Sequence, residues 1–276
     1  MWDNLKILIP QGKQFIPDVT TQEVPGIFRG RPVITTAKVD EAKLAEVCPV
    51  NAISISPVTL DMGRCTFCGE CARQFPGKIS FTKDYKIATN DRQRLFIREG
   101  EEHAVEVDQG KVRGEIRKVL GKSLKLRQVS AAGDNSAEWE LNAANNVQFD
   151  MSRFGIEFVA SPRHADGVVI TGPISVNMAE PLRICFEAIP DPRMVVLAGT
   201  DAISGGIFED SPALDRSFLD SHPVDLYIPG NPPHPLAIIN GLLDLTRGIR
   251  DEETKGLRER RDKSEGARER LSEGAT

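Results

Sequence analysis

The sequence predicts an α/β protein with two folded units, a small α+β unit followed by a larger unit built on a parallel sheet. Four of the five cysteines are confined to residues 48–71. Short Val/Ile-rich runs bounded by glycine alternate with helical patterns across residues 126–248. Such runs, when helices separate them, indicate a parallel sheet that is covered on both faces.

The smaller unit is predicted to occupy residues 31–97. Residues 39–47 (VDEAKLAEV) have helical periodicity, and residues 52–55 follow as a strand. The second half repeats this order, with a short helix through residues 72–74 and a strand at residues 79–82. The unit therefore consists of two loop–helix–strand halves.

The cysteines of this unit follow a characteristic spacing. Cys65, Cys68 and Cys71 form a Cys-x2-Cys-x2-Cys run, and Cys48 stands before Pro49. A tight loop can supply three thiolates to a 4Fe-4S cluster, and a remote segment supplies the fourth. The unit resembles the bacterial ferredoxins, in which the cysteine before proline serves the cluster of the other run. This resemblance implies a bacterial-ferredoxin-like fold in which Cys48 completes the ligand set.

The ligands of a second ferredoxin cluster are missing. The positions where the ferredoxin pattern asks for them hold Lys38, Glu41, Leu44 and Phe75. We therefore expect one 4Fe-4S cluster, bound by Cys48, Cys65, Cys68 and Cys71. A zinc site with four cysteine ligands is an alternative, although such sites usually use two Cys-x2-Cys pairs. A disulfide pairing is another alternative, which a reducing cytoplasm disfavours.

In the larger unit, strands are predicted at residues 154–160, 168–172 and 194–199, and helices at residues 178–189 and 236–247. The regions outside the two units are assigned from composition. They are an N-terminal arm over residues 1–30, a linker over residues 98–125 and a charged tail over residues 249–276. The linker is predicted to hold a strand and then a basic helix near residues 112–120, and the tail to be solvated helix or disorder without activity.

Residues 124–245 share a series of motifs with a known family: Arg153-Phe154-Gly155-Ile156, Ala160-Ser161-Pro162-Arg163-His164-Ala165-Asp166, Thr171-Gly172-Pro173, Ile189-Pro190-Asp191-Pro192, Ser204-Gly205-Gly206 and Pro223-Val224-Asp225-Leu226-Tyr227-Ile228-Pro229-Gly230. The region resembles the 20 kDa (PSST-type) small subunit of respiratory complex I. It is more similar to the small subunit of membrane-bound, energy-converting NiFe hydrogenases and formate hydrogenlyase. The resemblance implies a flavodoxin-like parallel-sheet domain, fused here to the ferredoxin-like unit.

In the hydrogenase branch of that family, four cysteines of this domain bind a 4Fe-4S cluster. The matching positions of this chain hold Asp134, Ala137, Asp201 and Asn231. The resemblance therefore implies a domain that keeps its fold without its cluster, with polar residues filling an emptied pocket. A cluster held by carboxylates and a hydrated cation between the two aspartates are the weaker alternatives.

Three further residues have open or structural interpretations. Cys185, inside a helical pattern, is predicted to be a small buried hydrophobe. Arg163 and His164 either face a partner subunit or make local ion pairs, and both interpretations stay open. The sequence has no Walker or Rossmann fingerprint, and we assign no catalytic residue.

Composition narrows the class of protein. The chain has 276 residues and a formal net charge of −5, which does not favour nucleic acid as a partner. The N-terminal residues lack the pattern of a signal peptide, and no apolar run reaches the roughly 20 residues that cross a bilayer. We therefore expect no transmembrane segment.

The resemblance implies a subunit on the cytoplasmic, inner face of the cell membrane. Its partners would be a hydrogenase-like or complex I-like large subunit and membrane-embedded antiporter-like subunits. Three functions are considered: an electron-transfer subunit of such an assembly, a structural docking subunit of it, and a ferredoxin fused to a binding module outside it. The loss of the second cluster favours electron transfer confined to the N-terminal unit, with the second unit retained for docking.

Overall fold

The computed structural model describes residues 14–101, 103–119 and 123–246. The predicted tail, over residues 249–276, and the first 13 residues of the predicted arm lie outside this range. Among the described residues, no helix combines the length and the apolar character that a bilayer-spanning helix requires.

The N-terminal unit contains two small antiparallel sheets. Its elements are β1 (Pro32–Ile34), α1 (Glu41–Glu46), β2 (Ile53–Ser54), β3 (Thr59–Asp61), α2 (Glu70–Gln74), β4 (Ile79–Phe81), a 3-10 turn (Arg92–Leu95) and β5 (Phe96–Arg98). Strand β1 pairs with β4, and β2, β3 and β5 form the second sheet. The two helices and two strands predicted for this unit are confirmed.

A buried ion pair joins the two sheets. Lys78 precedes β4, and its Nζ lies 2.8 Å from Oε1 of Glu99, which follows β5. The Lys78 side chain is almost completely buried. Loss of one partner of a buried pair costs about 3–5 kcal/mol, so this contact strongly constrains how the sheets pack around the cysteine segments.

The C-terminal unit is built on five parallel strands. Its elements are α3 (Gly114–Val119), β6 (Leu124–Ser130), α4 (Ser136–Ala144), β7 (Ile156–Phe158), β8 (Gly167–Thr171), α5 (Val176–Glu187), β9 (Met194–Ala198), α6 (Thr200–Ser204), α7 (Ser217–Ser221), β10 (Leu226–Ile228) and helical residues 235–246, here called α8. The strand order is β7-β6-β8-β9-β10, with every neighbouring pair parallel. This is the 2-1-3-4-5 order of the flavodoxin-like sheet.

The strands and helices predicted for this unit are present, whereas strands β6 and β10 and helices α4, α6 and α7 were not predicted. The three predicted strands correspond to β7, β8 and β9, and the predicted helices correspond to α3, α5 and α8. Strand β6, which begins inside the predicted linker, was not predicted because polar residues interrupt its apolar positions (LKLRQVS). The prediction of a strand in the linker was wrong, because residues 99–101 and 103–113 contain no strand.

Helix α8 lies between the two units. Its residues are buried almost throughout, unlike those of a surface helix. At Gly241 an added Cβ would lie 2.5 Å from Cβ of Ala88 in the N-terminal unit, and Leu226 and Ile228 of β10 lie on the same side. A glycine is therefore required for the helix to approach both units.

Main-chain contacts also hold the units together. Thr89 and Tyr227 exchange two backbone hydrogen bonds of 3.0 and 2.8 Å, so β10 extends its pairing into the N-terminal unit. The described part of the arm crosses this junction. The carbonyl of Val19 accepts hydrogen bonds from Asn240 Nδ2 of α8 at 2.8 Å and from Tyr85 Oη at 3.2 Å. Both units therefore bind the arm.

Candidate functional site

The structure brings the four predicted cysteines together around one cavity. Cys48 follows α1, Cys65 and Cys68 lie on the loop that leads into α2, and Cys71 lies in the first turn of α2. The remaining lining of this cavity is mainly apolar, and it includes Val47, Ala52, Ile53, Leu60 and Phe81. Cys65 and Cys71 are buried, Cys48 is partly buried and Cys68 is exposed.

Backbone amides point at two of the sulfur atoms. The N–H of Ala52 donates to Cys48 Sγ at 3.2 Å, and the N–H of Phe67 donates to Cys65 Sγ at 3.3 Å. Phe67 adopts a left-handed conformation with φ 52°, and it directs the chain around the sulfur. N–H donors stabilise the thiolate form, which is the form that ligates metals.

The cavity disfavours free thiolates. Burial raises the pKa of Cys71 to about 11. Burial also raises the pKa of the Cys65 thiol far above its usual range, and the negative charges of the three neighbouring thiolates raise it further. The thiolates therefore need a compensating positive charge, which iron or another cation supplies when it binds.

These features fit an iron–sulfur cluster. Four thiol donors surround a single apolar cavity, and N–H groups point at two of their sulfur atoms. No group of three or more His, Cys, Asp or Glu side chains within the described ranges is arranged to hold a metal ion. What matches a cluster is the common cavity of the four cysteines and the thiol chemistry of its donors. Cys185 lies elsewhere, partly buried on α5.

A second, smaller pocket lies at the carboxyl edge of the parallel sheet. It has a volume of about 240 Å³, and its lining includes all four positions where the family resemblance implied lost ligands: Asp134, Ala137, Asp201 and Asn231. They follow the carboxyl ends of β6, β9 and β10, where open α/β sheets place their ligands. Gly172 lets the β6 and β8 loops meet, since a Cβ there would lie 2.3 Å from the nitrogen of Gly133.

Polar contacts hold the edges of this pocket. The carboxylate of Asp134 accepts hydrogen bonds from the amide and hydroxyl of Ser136 at 2.9 and 2.6 Å. Buried Glu138 accepts from the hydroxyls of Ser130 and Thr171 at 2.5 and 2.7 Å. These bonds are what a pocket without thiolates needs, because buried polar groups require partners.

Asp201 experiences a different environment. Burial raises the pKa of Asp201, and the negative charges of Asp134 and Glu138 raise it further, while Arg216 opposes the shift. The Arg216 side chain bonds to main-chain carbonyls around this turn, including that of Ala202 at 2.8 Å.

The two pockets are neighbours. Thr200, the first residue of α6, donates its hydroxyl hydrogen bond to the carbonyl oxygen of Cys65 at 3.0 Å and also contacts that of Gly230 at 3.1 Å. It therefore connects the cysteine loop to the carboxyl edge of the sheet. Sequence reasoning did not identify Thr200, whose only signal is its place beside Asp201. Arg163 and His164 are exposed, and their role stays a prediction.

The order and direction of the five parallel strands define a flavodoxin-like α/β domain, with the second pocket at the carboxyl ends of its strands. A family model described as "NADH ubiquinone oxidoreductase, 20 Kd subunit" matches residues 135–245. Together with the relatives described next, this match shows that the chain belongs to the family of that 20 kDa subunit.

Two relatives illustrate the similarity. A probable membrane-bound hydrogenase subunit, mbhJ of Pyrococcus furiosus, is 34% identical over 129 residues, which are 47% of this chain and 77% of that protein. An NADH-quinone oxidoreductase subunit of Citrifermentans bemidjiense is 41% identical over 113 residues, which are 41% of this chain and 66% of the relative. The chain thus spans just under two thirds of the length of this second relative.

A solved structure is also similar. A chain from the membrane-bound sulfane sulfur reductase, described as an archaeal respiratory membrane complex, matches with a TM-score of 0.42 and 32% sequence identity. The match covers 49% of this chain and 75% of the other.

We expect Asp201→Asn to stabilise the protein at neutral pH. The pKa of the Asp201 carboxyl group is raised in the folded protein. The folded state therefore binds the proton of this carboxyl group more tightly than the unfolded state does. The free energy of unfolding of the parent protein therefore falls as pH rises from the ordinary aspartate pKa of about 3.9 through the raised pKa of Asp201. The asparagine variant lacks this loss, so urea unfolding should show its advantage growing across that window.

Asp215→Asn is the matched control, because hydrogen bonds from Ser217 lower the pKa of Asp215. This variant should lose stability at neutral pH, and its deficit should shrink as pH falls through the lowered pKa. An Asp201→Asn protein that is less stable than the parent at pH 7 would contradict the environment described for Asp201.

Proposed function

We propose that the chain is an iron–sulfur subunit of a complex I-like or energy-converting hydrogenase-like membrane assembly. Its N-terminal, ferredoxin-like unit binds one 4Fe-4S cluster through Cys48, Cys65, Cys68 and Cys71. Its C-terminal unit serves as a docking scaffold without a cluster of its own. The observation that carries the proposal is the convergence of the four thiols on one apolar cavity.

The protein residues around that cavity have distinct roles. A bound 4Fe-4S cluster supplies one-electron transfer. The amides of Ala52 and Phe67 favour the thiolates of Cys48 and Cys65, and apolar neighbours such as Leu60 exclude water. Hydrogen bonds to sulfur and the degree of solvent exposure are the factors by which a protein tunes the potential of such a cluster.

The second pocket supports the absence of a second cluster. Its former ligand positions carry two carboxylates, one amide and one methyl group, and none of the four is a thiol. Iron–sulfur clusters are held mainly by thiolates, so this donor set does not fit one. Electrons that reach the N-terminal cluster therefore stop there or leave by another route.

The docking role is supported by apolar side chains around the same sheet edge. Trp139 in the first turn of α4 is 71% exposed, and Ile207, shortly after α6, is 67% exposed. Val176 at the start of α5 and Phe208 are also exposed. We call these four residues the apolar rim. Their elements begin where strands β6, β8 and β9 end, which is the sheet edge that also holds the second pocket. Exposed apolar groups of this kind mark contact surfaces.

We expect anaerobically purified protein to contain about four iron atoms and about four acid-labile sulfides per chain, with an EPR signal on reduction. Cys65→Ser should lose most of this iron, because it removes one of the four thiolates. Cys185→Ser is the control and should keep it, since Cys185 does not line the cavity. Eight iron atoms per chain, or zinc in place of iron, would overturn the proposal.

We expect Trp139→Glu to reduce co-purification with the large subunit by at least about tenfold, because buried tryptophans dominate many interfaces. The iron content should not change, since Trp139 does not line the cysteine cavity. Val147→Glu is a matched control, because Val147 is 76% exposed beyond the opposite end of the same helix. Equal loss with both variants, or no loss with Trp139→Glu, would refute the proposed docking face.

A further inference from the structure

A third cavity lies directly against the cysteine loop. It is an open groove with a volume of about 340 Å³, at the lower end of the usual range of ligand pockets. We call it the Cys68 groove, and its principal lining residues are Phe28, Arg29, Phe67, Cys68, Asn231 and His234. Cys68 lines both this groove and the cysteine cavity. A molecule in the groove would therefore contact a ligand of the proposed cluster.

Aromatic rings and prolines form much of the groove. Phe28 and His234 pack edge to face with ring centroids 5.3 Å apart, and both line the groove. Pro25, Pro229 and Pro232 add further apolar surface. Flat apolar walls of this kind suit a planar aromatic ring, which stacks on or against aromatic side chains.

The polar groups of the groove include two hydrogen-bond donors. His234 Nδ1 accepts the N–H of Leu236 at 3.1 Å, and burial lowers the pKa of His234. The neutral ring therefore carries its proton on Nε2. Arg29 donates through Nε to the carbonyl of Phe67 at 2.5 Å, which fixes the guanidinium beside the cysteine loop.

The charge of the groove is positive, although the whole chain has a formal net charge of −5. Arg29 is charged, and no Asp or Glu is present among the described residues that line the groove. An arginine favours a phosphate or carboxylate, which it binds through paired N–H donors. The groove therefore combines aromatic walls with selectivity for an anion.

We infer that the Cys68 groove binds a planar aromatic electron carrier that has an anionic group, of the flavin mononucleotide class. The ring lies against Phe28 and His234, and the anionic group faces Arg29. Cys68 lines both the groove and the cluster cavity. One electron can therefore pass between a bound cluster and the aromatic ring, so that the donor of the pair is oxidised and the acceptor is reduced. This electron transfer rests on the proposed function, whereas binding itself does not. The groove then provides a route that does not need the emptied pocket.

The test is a titration of flavin mononucleotide (FMN) into the purified full chain, followed by flavin fluorescence. We expect saturable quenching by the aromatic walls. Arg29→Gln should weaken FMN binding by about tenfold or more, because it removes the cation that faces the phosphate. Arg73→Gln is the matched control, since Arg73 is exposed on α2 and does not line the groove. Riboflavin, which lacks the phosphate, should bind the parent more weakly than FMN.

Absence of saturable binding would overturn the inference, as would equal FMN affinity of the parent and Arg29→Gln. Iron is counted in the same preparations. If the protein contains about four iron atoms per chain but does not bind FMN, the inferred FMN site is refuted and the proposed cluster is supported. Protein that binds FMN through Arg29 but lacks iron refutes the cluster and leaves the groove as a binding site.

Discussion

The hydrogen bond from the hydroxyl of Thr200 to the carbonyl of Cys65 directly connects the two units of this molecule. It joins the loop that carries Cys65 and Cys68 to the carboxyl edge of the parallel sheet. Helix α8, the Thr89–Tyr227 bridge and the arm at Val19 hold the same two units together. Because several independent contacts fix this junction, the distance and orientation between the cysteine cavity and the second pocket are fixed.

Under the proposed function, the C-terminal unit lacks cluster ligands and keeps a docking role. In the second pocket, the carboxylates of Asp134 and Glu138 accept hydrogen bonds from Ser136 and Thr171, so these two groups are satisfied without a metal. The sheet order and the exposed apolar rim are independent of those ligands. In the proposed function, the C-terminal unit therefore still supports an assembly, while the N-terminal unit carries the electron.

The sequence predicted the features that depend on local pattern. Cysteine spacing identified the thiols that meet in one cavity, and apolar runs located β8 and β9, which are buried throughout. Strand β6 was missed because charged residues interrupt it on a partly exposed surface. The Cys68 groove had no sequence signal, since its walls come from the arm, the cysteine loop and the segment after β10. Only tertiary packing brings such distant segments together.

The central claim is that the chain binds a single cluster in its N-terminal unit. Anomalous diffraction at the iron absorption edge tests it most directly, on crystals of protein purified without oxygen. We predict one compact iron peak inside the cavity of Cys48, Cys65, Cys68 and Cys71, and no iron between Asp134 and Asp201. Iron in the second pocket, or a zinc signal among the four cysteines, would contradict this claim.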